Sequence, residues 1–336
     1  MSCDRSKWAR RPAALVVVLL LGAACSSDDG AAAPIPGCLD DAAIYALVGP
    51  ESDGIDTWSG AEALAAELGS AYAEDLPDAP LDITGPGEES GTYDGFVGFA
   101  IEEIAEERGR EAQTRLDYVS SPNDNVIIQG IEDSASSFGW VGYAFHAENR
   151  DRVRTIEIAD EEGNCIAPSD ETIASGEYPY SRPLFIYVNT AKAEENGALA
   201  AFVDFYLGQD GYDAVKDAGY VQLTDEDWAA TGDIWSAEGI SGEISDGESI
   251  AVSGSSTVEP ITSLVAERFL EGNDVGIEVN GPGTGDGFAL FCSGETDISD
   301  ASRAIKDEER AACEEAGIDF VELRVGIDGL SVLTGK

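Results

Sequence analysis

The sequence predicts an α/β protein organised as two domains. Apolar patterns of helical and strand period alternate along the chain from Cys38 to Thr334. A length of 336 residues suits two domains rather than one. A stretch rich in Gly, Ser, Asp and Glu, 236–248, separates a longer α/β run from a shorter one and reads as a linker. Hydrophobic content of 43% is enough to fill two cores.

The chain opens on an export signal. Arg5, Lys7, Arg10 and Arg11 form a basic region, and Ala13–Leu21 an apolar stretch too short to span a bilayer comfortably. Small residues then precede Cys25, and a polar tether follows. This predicts a lipoprotein signal over 1–24, Cys25 as the lipidated residue and a tether over 25–36. An ordinary secretory signal is the alternative. Either reading predicts an exported protein, the first one lipid-anchored on the outer face of the cytoplasmic membrane.

The first run begins with a helix over Asp41–Val48, stopped by Gly49-Pro50. Ser59 and Glu62 read as a capping box for a helix over Ala61–Leu68. Leu81–Thr84 reads as a strand, 85–91 as a loop, and Thr92–Arg108 as one long helix with an apolar stripe through Tyr93, Phe96, Val97, Ala100, Ile101 and Ile104. Val126–Ile128, Phe138–Tyr143, Thr155–Ile158 and Leu184–Val188 read as strands, and Leu199–Leu207 as a helix. After the linker come a strand at Ile250–Val252, a helix over Val258–Leu270, an alternating strand Val275–Val279, and two strands, Phe320–Val325 and Leu330–Thr334.

Charge and cysteine usage narrow the function. With 66 Asp+Glu against 19 Lys+Arg the net charge is −47, which repels nucleic-acid backbones. Cys38, Cys165, Cys292 and Cys313 remain once Cys3 and Cys25 are set aside. In an exported chain they predict two disulfides. Three connectivities are possible, and pairing within each half gives Cys38–Cys165 and Cys292–Cys313. No zinc-ligand spacing occurs, and Asp160–Asn164 reads as a turn rather than a calcium loop, so no metal or cofactor is expected. His146, the single histidine, reads as a helix-surface residue, and no signature of nucleophilic or nucleotide chemistry occurs, so no enzyme is expected.

Three loops share one design, with hydroxyl residues and glycines leading into a helix. They are Gly254-Ser255-Ser256-Thr257, the 281–287 loop before Phe288, and Glu89-Ser90-Gly91-Thr92. Helix N-termini offer free N–H groups and a positive dipole end, and Ser and Thr add donors, which suits an oxyanion. Each loop alone reads more readily as an ordinary N-cap or turn, and it is the three together with Asp300-Ala301-Ser302-Arg303 that point to an anion site. Arg303, in Asp300-Ala301-Ser302-Arg303, is a rare cation able to grip such an anion with two prongs, or else a surface arginine paired with a carboxylate.

Ser253–Val258, Gly281–Phe288, Asp297–Arg303 and Glu89–Phe96 together resemble the anion-site motifs of periplasmic phosphate-binding proteins, the substrate-binding components of phosphate ABC transporters. The resemblance extends from Cys38 to Lys336. It implies a class II fold of two α/β lobes with the ligand in the cleft between them, no enzymatic activity, inorganic phosphate as ligand, permease subunits as partners and a monomer. By position it implies that Ser256, Thr257, Thr284, Gly285, Asp286, Ser302, Arg303, Ser90, Gly91 and Thr92 bind phosphate. A phosphate-sensing or adhesive lipoprotein on the same fold is the alternative, and a phosphatase-like hydrolase a remote third.

The segment order departs from the family, since residues 38–235 resemble its second half and 249–336 its first. A circular permutation is expected, with a truncated tandem array or a mis-assembled reading frame as the alternatives. The expected division is a first lobe over 37–184, a crossover and second-lobe helices over 185–235, the linker over 236–248, and the remaining second lobe with a terminal crossover strand over 249–336. Pro86 and Ser302 also stand where some members carry an arginine and the carboxylate that accepts the phosphate proton. Asp286 is the first choice for that acceptor, ahead of Asp300 and Glu89.

Overall fold

The structure, a computed structural model, describes residues 34–336. Cys25, the signal and most of the tether lie outside the described residues. Among the described residues no helix is long and apolar enough to cross a membrane.

The N-terminal part runs β1 (Cys38–Leu39), α1 (Asp41–Val48), α2 (Glu62–Glu67), β2 (Asp82–Gly85), α3 (Gly91–Ala100), α4 (Glu102–Glu107), β3 (Val119–Ser120), α5 (Asp124–Glu132), β4 (Ser137–Gly142), α6 (Tyr143–Glu148), β5 (Val153–Ala159), β6 (Cys165–Ile166) and α7 (Asp170–Ala174). Strand β7 (Ser181–Asn189) follows, then α8 (Thr190–Glu195), α9 (Gly197–Tyr206), α10 (Gln209–Asp217), α11 (Asp225–Glu238), β8 (Ser249–Gly254), α12 (Glu259–Leu270), β9 (Gly276–Asn280), α13 (Thr284–Cys292), β10 (Ile298–Ala301), α14 (Asp307–Ala316) and β11 (Phe320–Gly335).

Two strands tie the lobes together. The first half of β11 pairs antiparallel with β7, which on its other side meets β10, β8 and β9 in the second lobe. The second half of β11 runs between β4 and β5 in the first lobe. One 16-residue strand thus replaces the two expected near the C-terminus. Gly326 and Gly329 let it continue: Cβ atoms there would lie 2.9 Å from Val215 Cγ1 and Ile173 Cδ1. One core gathers Tyr45, Trp58, Phe96, Trp140 and Val332, and the other Leu184, Ile186, Phe202, Val265 and Leu323.

Several local expectations are corrected. Val126–Ile128 belongs to helix α5, capped by the Asn123 side chain, with Ile127, Ile128 and Ile131 buried on one face. The expected long helix divides at Ile101, whose φ of −122° breaks the helical geometry between α3 and α4. The Ser59–Glu62 box does not form: Thr57 caps a short 3₁₀ turn instead, and Ser59 faces Asp78. Helix α11 extends to Glu238, into the expected linker. The rest of that segment packs on the start of α9, where Glu248 accepts from the N–H groups of Gly197 and Ala198. His146 is buried, 4% exposed, beside the Ser331 hydroxyl, and burial pulls its pKa down to about 4.

The disulfides are Cys38–Cys165 and Cys292–Cys313. Their separations of 127 and 21 residues correspond, by loop closure, to about 5 and about 3 kcal/mol of stabilisation at most.

Candidate functional site

The second lobe contributes the end of β8. Gly254 has φ +155°, and a Cβ there would fall 2.0 Å from the Asp300 carbonyl, so only glycine lets β8 pass this close to β10. Ser255 N–H donates to that carbonyl, and the Ser255 hydroxyl accepts from Thr257 N–H. This turn delivers Ser256 and Thr257 to the start of α12, which begins with Pro260 in its first turn and no side-chain cap.

The first lobe answers with α3. Ser90 caps it by accepting from Thr92 N–H. A Cβ on Gly91 would stand 3.5 Å from Thr257 Cα and 3.7 Å from the Ser256 carbonyl, so the two helix starts abut across the cleft. Ser256 Oγ donates to Asp94 Oδ2 at 3.3 Å, a direct bond between lobes.

Arg182, at the start of β7, lies where these loops meet. Its Nη2 donates to Thr257 Oγ1 at 3.1 Å, and its Nε to Asp328 Oδ2 on β11 at 3.1 Å. Gly95 leaves room for the guanidinium, since a Cβ there would lie 3.2 Å from Nη2. Asp328 is 4% exposed; burial raises its pKa, and the Arg182 charge opposes that rise.

The third corner is α13, which starts at Thr284, earlier than expected. Thr284 Oγ1 lies 3.2 Å from Ser302 Oγ and accepts from Ser302 N–H. Arg303 is engaged by Glu309, which accepts from both of its terminal nitrogens at 2.8 and 2.7 Å, and it stands over the Phe288 ring. That ion pair raises the Arg303 pKa. A cavity of about 500 Å³ is lined by Asp94, Glu102, Arg182, Thr284, Ser302 and Arg303 with their neighbours.

Gly91, Ser256 and Thr257 therefore meet, with Ser90 and Thr92 flanking Gly91 at the start of α3, and Thr284, Ser302 and Arg303 line the cavity beside Arg182 and Asp94. Gly285 and Asp286 are exposed on the first turn of α13, outside that lining. Glu89 is exposed and folds back on Gly87. Asp300 is fully buried, accepts from the Thr262 hydroxyl, and is pushed up to about 7 by desolvation. Arg182 and Asp94 are not among the expected residues. The available signals were an arginine opening a crossover strand in a chain poor in cations, and a carboxylate one turn into the α3 helix.

The site can hold a small oxyanion. Three helices, α3, α12 and α13, begin around it with positive dipole ends, hydroxyls stand on two of its sides, and Arg182 provides a cation already fixed by Asp328.

Known proteins resemble this chain in sequence and in fold. The chain is 37% identical over 177 residues to protein SphX of Synechocystis, covering 52% of this chain and 50% of that protein. It is 34% identical over 145 residues to the phosphate-binding protein PstS of Staphylococcus haemolyticus, covering 43% and 42%. The chain thus spans about half the length of the curated relatives it matches. Among solved structures, a phosphate-binding protein of a phosphate ABC transporter from Streptococcus pneumoniae superposes with a TM-score of 0.56 at 18% identity, over 76% of this chain and 89% of that one. A possible phosphate binding protein from Planctomyces limnophilus gives 0.51 at 28% identity, over 62% and 68%. The model of the PBP superfamily domain matches residues 39–210 and 240–336, most of the sequence, and the chain belongs to the PBP superfamily.

Proposed function

We propose that this protein binds inorganic phosphate outside the cytoplasm and delivers it to the permease subunits of an ABC transporter. The observation that carries this reading is the meeting of Gly91, Thr257 and Arg182 between two lobes joined by two strands. The names of the curated relatives support phosphate as the anion. In this reading the lobes close by bending at β7 and β11 and bring the three helix N-termini onto one ion. Export as a lipid-anchored monomer through Cys25 completes the proposal.

Within the site, Ser256, Thr257, Ser90, Gly91, Thr92, Thr284 and Ser302 donate to phosphate oxygens and Arg182 neutralises charge. Asp94, rather than Asp286, accepts the proton of hydrogen phosphate. Sulfate, which lacks that proton, would oppose an oxygen to the carboxylate. A charge-assisted hydrogen bond is worth about 1.5–3 kcal/mol, so Asp94→Asn should weaken phosphate roughly tenfold to hundredfold while improving sulfate. Calorimetric titration with both anions checks this. Equal phosphate affinity in wild type and Asp94→Asn sinks the assignment, and no phosphate affinity better than millimolar in the wild type sinks the function.

The segment order is proposed to reflect a circular permutation, with one half over 38–235 and the other over 249–336. Thr334 and Gly335 pair with Arg154 and Val153 on one side of β5, and Cys38 and Leu39 pair with Glu157 and Ile158 on the other. Two strand spacings across β5, about 10 Å, and three to four residues along it, about 10–13 Å, separate these ends, a gap that a connection of several residues would bridge. Such proximity is what makes rejoined chain orders tolerable.

A further inference from the structure

We propose that a second cavity, in the first lobe and apart from the cleft, binds a phosphate-bearing anion. It measures about 630 Å³ and is lined by His146, Arg150, Arg154, Thr155, Pro168 and Lys336, with Val153 at its wall. None of these residues lines the interlobe cavity. Three cationic side chains share the lining, and no Asp or Glu does. That is unusual in a chain with 66 acidic and 19 basic residues, where most of the described arginines are paired with Asp or Glu.

The three cations are held by neutral groups. Arg150 donates to the Tyr143 hydroxyl at 2.5 Å and stands over that ring. Arg154 donates to the Ile35 carbonyl, and Lys336 to the Asp151 carbonyl. Asp170 stands beside the Tyr143 hydroxyl that receives Arg150, but each direct partner is a neutral oxygen, so none of the three is held in an ion pair among the described residues. Half-burial of Arg154 adds to this, since a partly desolvated guanidinium interacts more strongly with an anion than an exposed one. Two arginines and a lysine around one space suit a phosphate group, which accepts several donors at once.

The cavity stands at the root of the tether, because Ile35, which receives Arg154, is among the first described residues. Phosphate chemistry there has two sources, the headgroup of an anionic lipid or free phosphate. In the first case the site would seat the lobe against a membrane surface.

The test uses the full chain at about 0.15 M salt, where exposed charges are screened within roughly 8 Å. Wild type, Arg150→Gln, and Arg150→Gln with Arg154→Gln are compared for binding to phosphatidylglycerol vesicles, phosphatidylcholine vesicles and inorganic phosphate. Wild type is expected to bind the phosphatidylglycerol vesicles, or to show a phosphate-binding event beyond that of the cleft. The double variant should lose that binding at least tenfold and keep its cleft affinity. Binding to phosphatidylglycerol alone assigns the lipid source, and binding to both probes assigns the phosphate group itself. Arg150 is exposed, so its single variant should fold and show a partial loss even if the double variant does not fold. Absence of both signals in wild type, or no change in either folded variant, overturns the proposal.

Discussion

Arg182→Gln is expected to weaken phosphate binding by roughly tenfold to a hundredfold and to destabilise the protein at neutral pH. Arg182 has one prong on Thr257 and another on Asp328, and it is the cation nearest the meeting of the two helix starts. With Nη2 on Thr257 and Nε on Asp328, Arg182 still offers an oxyanion one charge-assisted hydrogen bond, worth about 1.5–3 kcal/mol, and about 2.8 kcal/mol is a hundredfold. Arg182→Lys should restore charge but not the fork, and recover only part of the loss. Arg303→Gln should cost less, because Glu309 already takes both prongs of that guanidinium.

The stability effect follows from Asp328. Removing one partner of a buried pair costs about 3–5 kcal/mol, and the low end applies because the Arg182 side chain is 22% exposed. Burial raises the Asp328 pKa, and loss of Arg182 removes what opposes that rise. A carboxyl whose folded pKa is raised stabilises the fold below its unfolded value near 3.9 and loses that contribution as pH rises through the folded value. The deficit of Arg182→Gln should therefore be small near pH 4 and full near pH 8. Denaturant unfolding at both pH values reads it out; an equal deficit at both would show that Asp328 is not the group responsible.

The second large effect concerns Asp300. It is fully buried, one oxygen accepts from Thr262, the other has no partner among the described residues, and desolvation pushes its pKa up to about 7. From 3.8 to about 7 the linkage amounts to about 4 kcal/mol. By the same sign, this stability is fully present below pH 3.8 and lost as pH rises through about 7. Asp300→Asn removes the ionisation and leaves a neutral amide with one unpaired group, at about 1–3 kcal/mol. The variant should be more stable than wild type by about 2 kcal/mol near pH 8.5 and no more stable near pH 4. A pH-independent difference would contradict this account of the buried carboxyl.

Much of this fold can be read from local chemistry. Asp41–Val48 is bounded by an Asp40 cap and Gly49-Pro50, and the helix forms over those residues. The disulfide pairs follow from dividing four cysteines between two halves. What escapes the sequence depends on tertiary partners. Val126–Ile128 is a β-branched, apolar triplet, which looks like a strand until Ile131 and the Asn123 cap are counted. The unbroken β11 needs β7 along one half and β4 and β5 along the other before its central glycines can be extended. The hydroxyl and glycine loops of the site are visible because helix starts carry local signatures. Arg182 and Asp94 are not, because 75 residues separate Arg182 from Thr257 and 162 separate Asp94 from Ser256.

The acidity of the chain sharpens the requirement on the site. At −47 the overall field repels phosphate, so affinity must come from dipoles and donors at close range, and association should quicken as salt screens the repulsion.

A crystal structure of the protein grown with phosphate tests the central claim most directly. The expected result is one tetrahedral ion in the interlobe cleft, within hydrogen-bond distance of Thr257, Arg182 and the N-terminus of α3, with one oxygen facing Asp94. A cleft without an ion at saturating phosphate, or an ion held by Asp286 and Arg303 with Arg182 turned away, would contradict it.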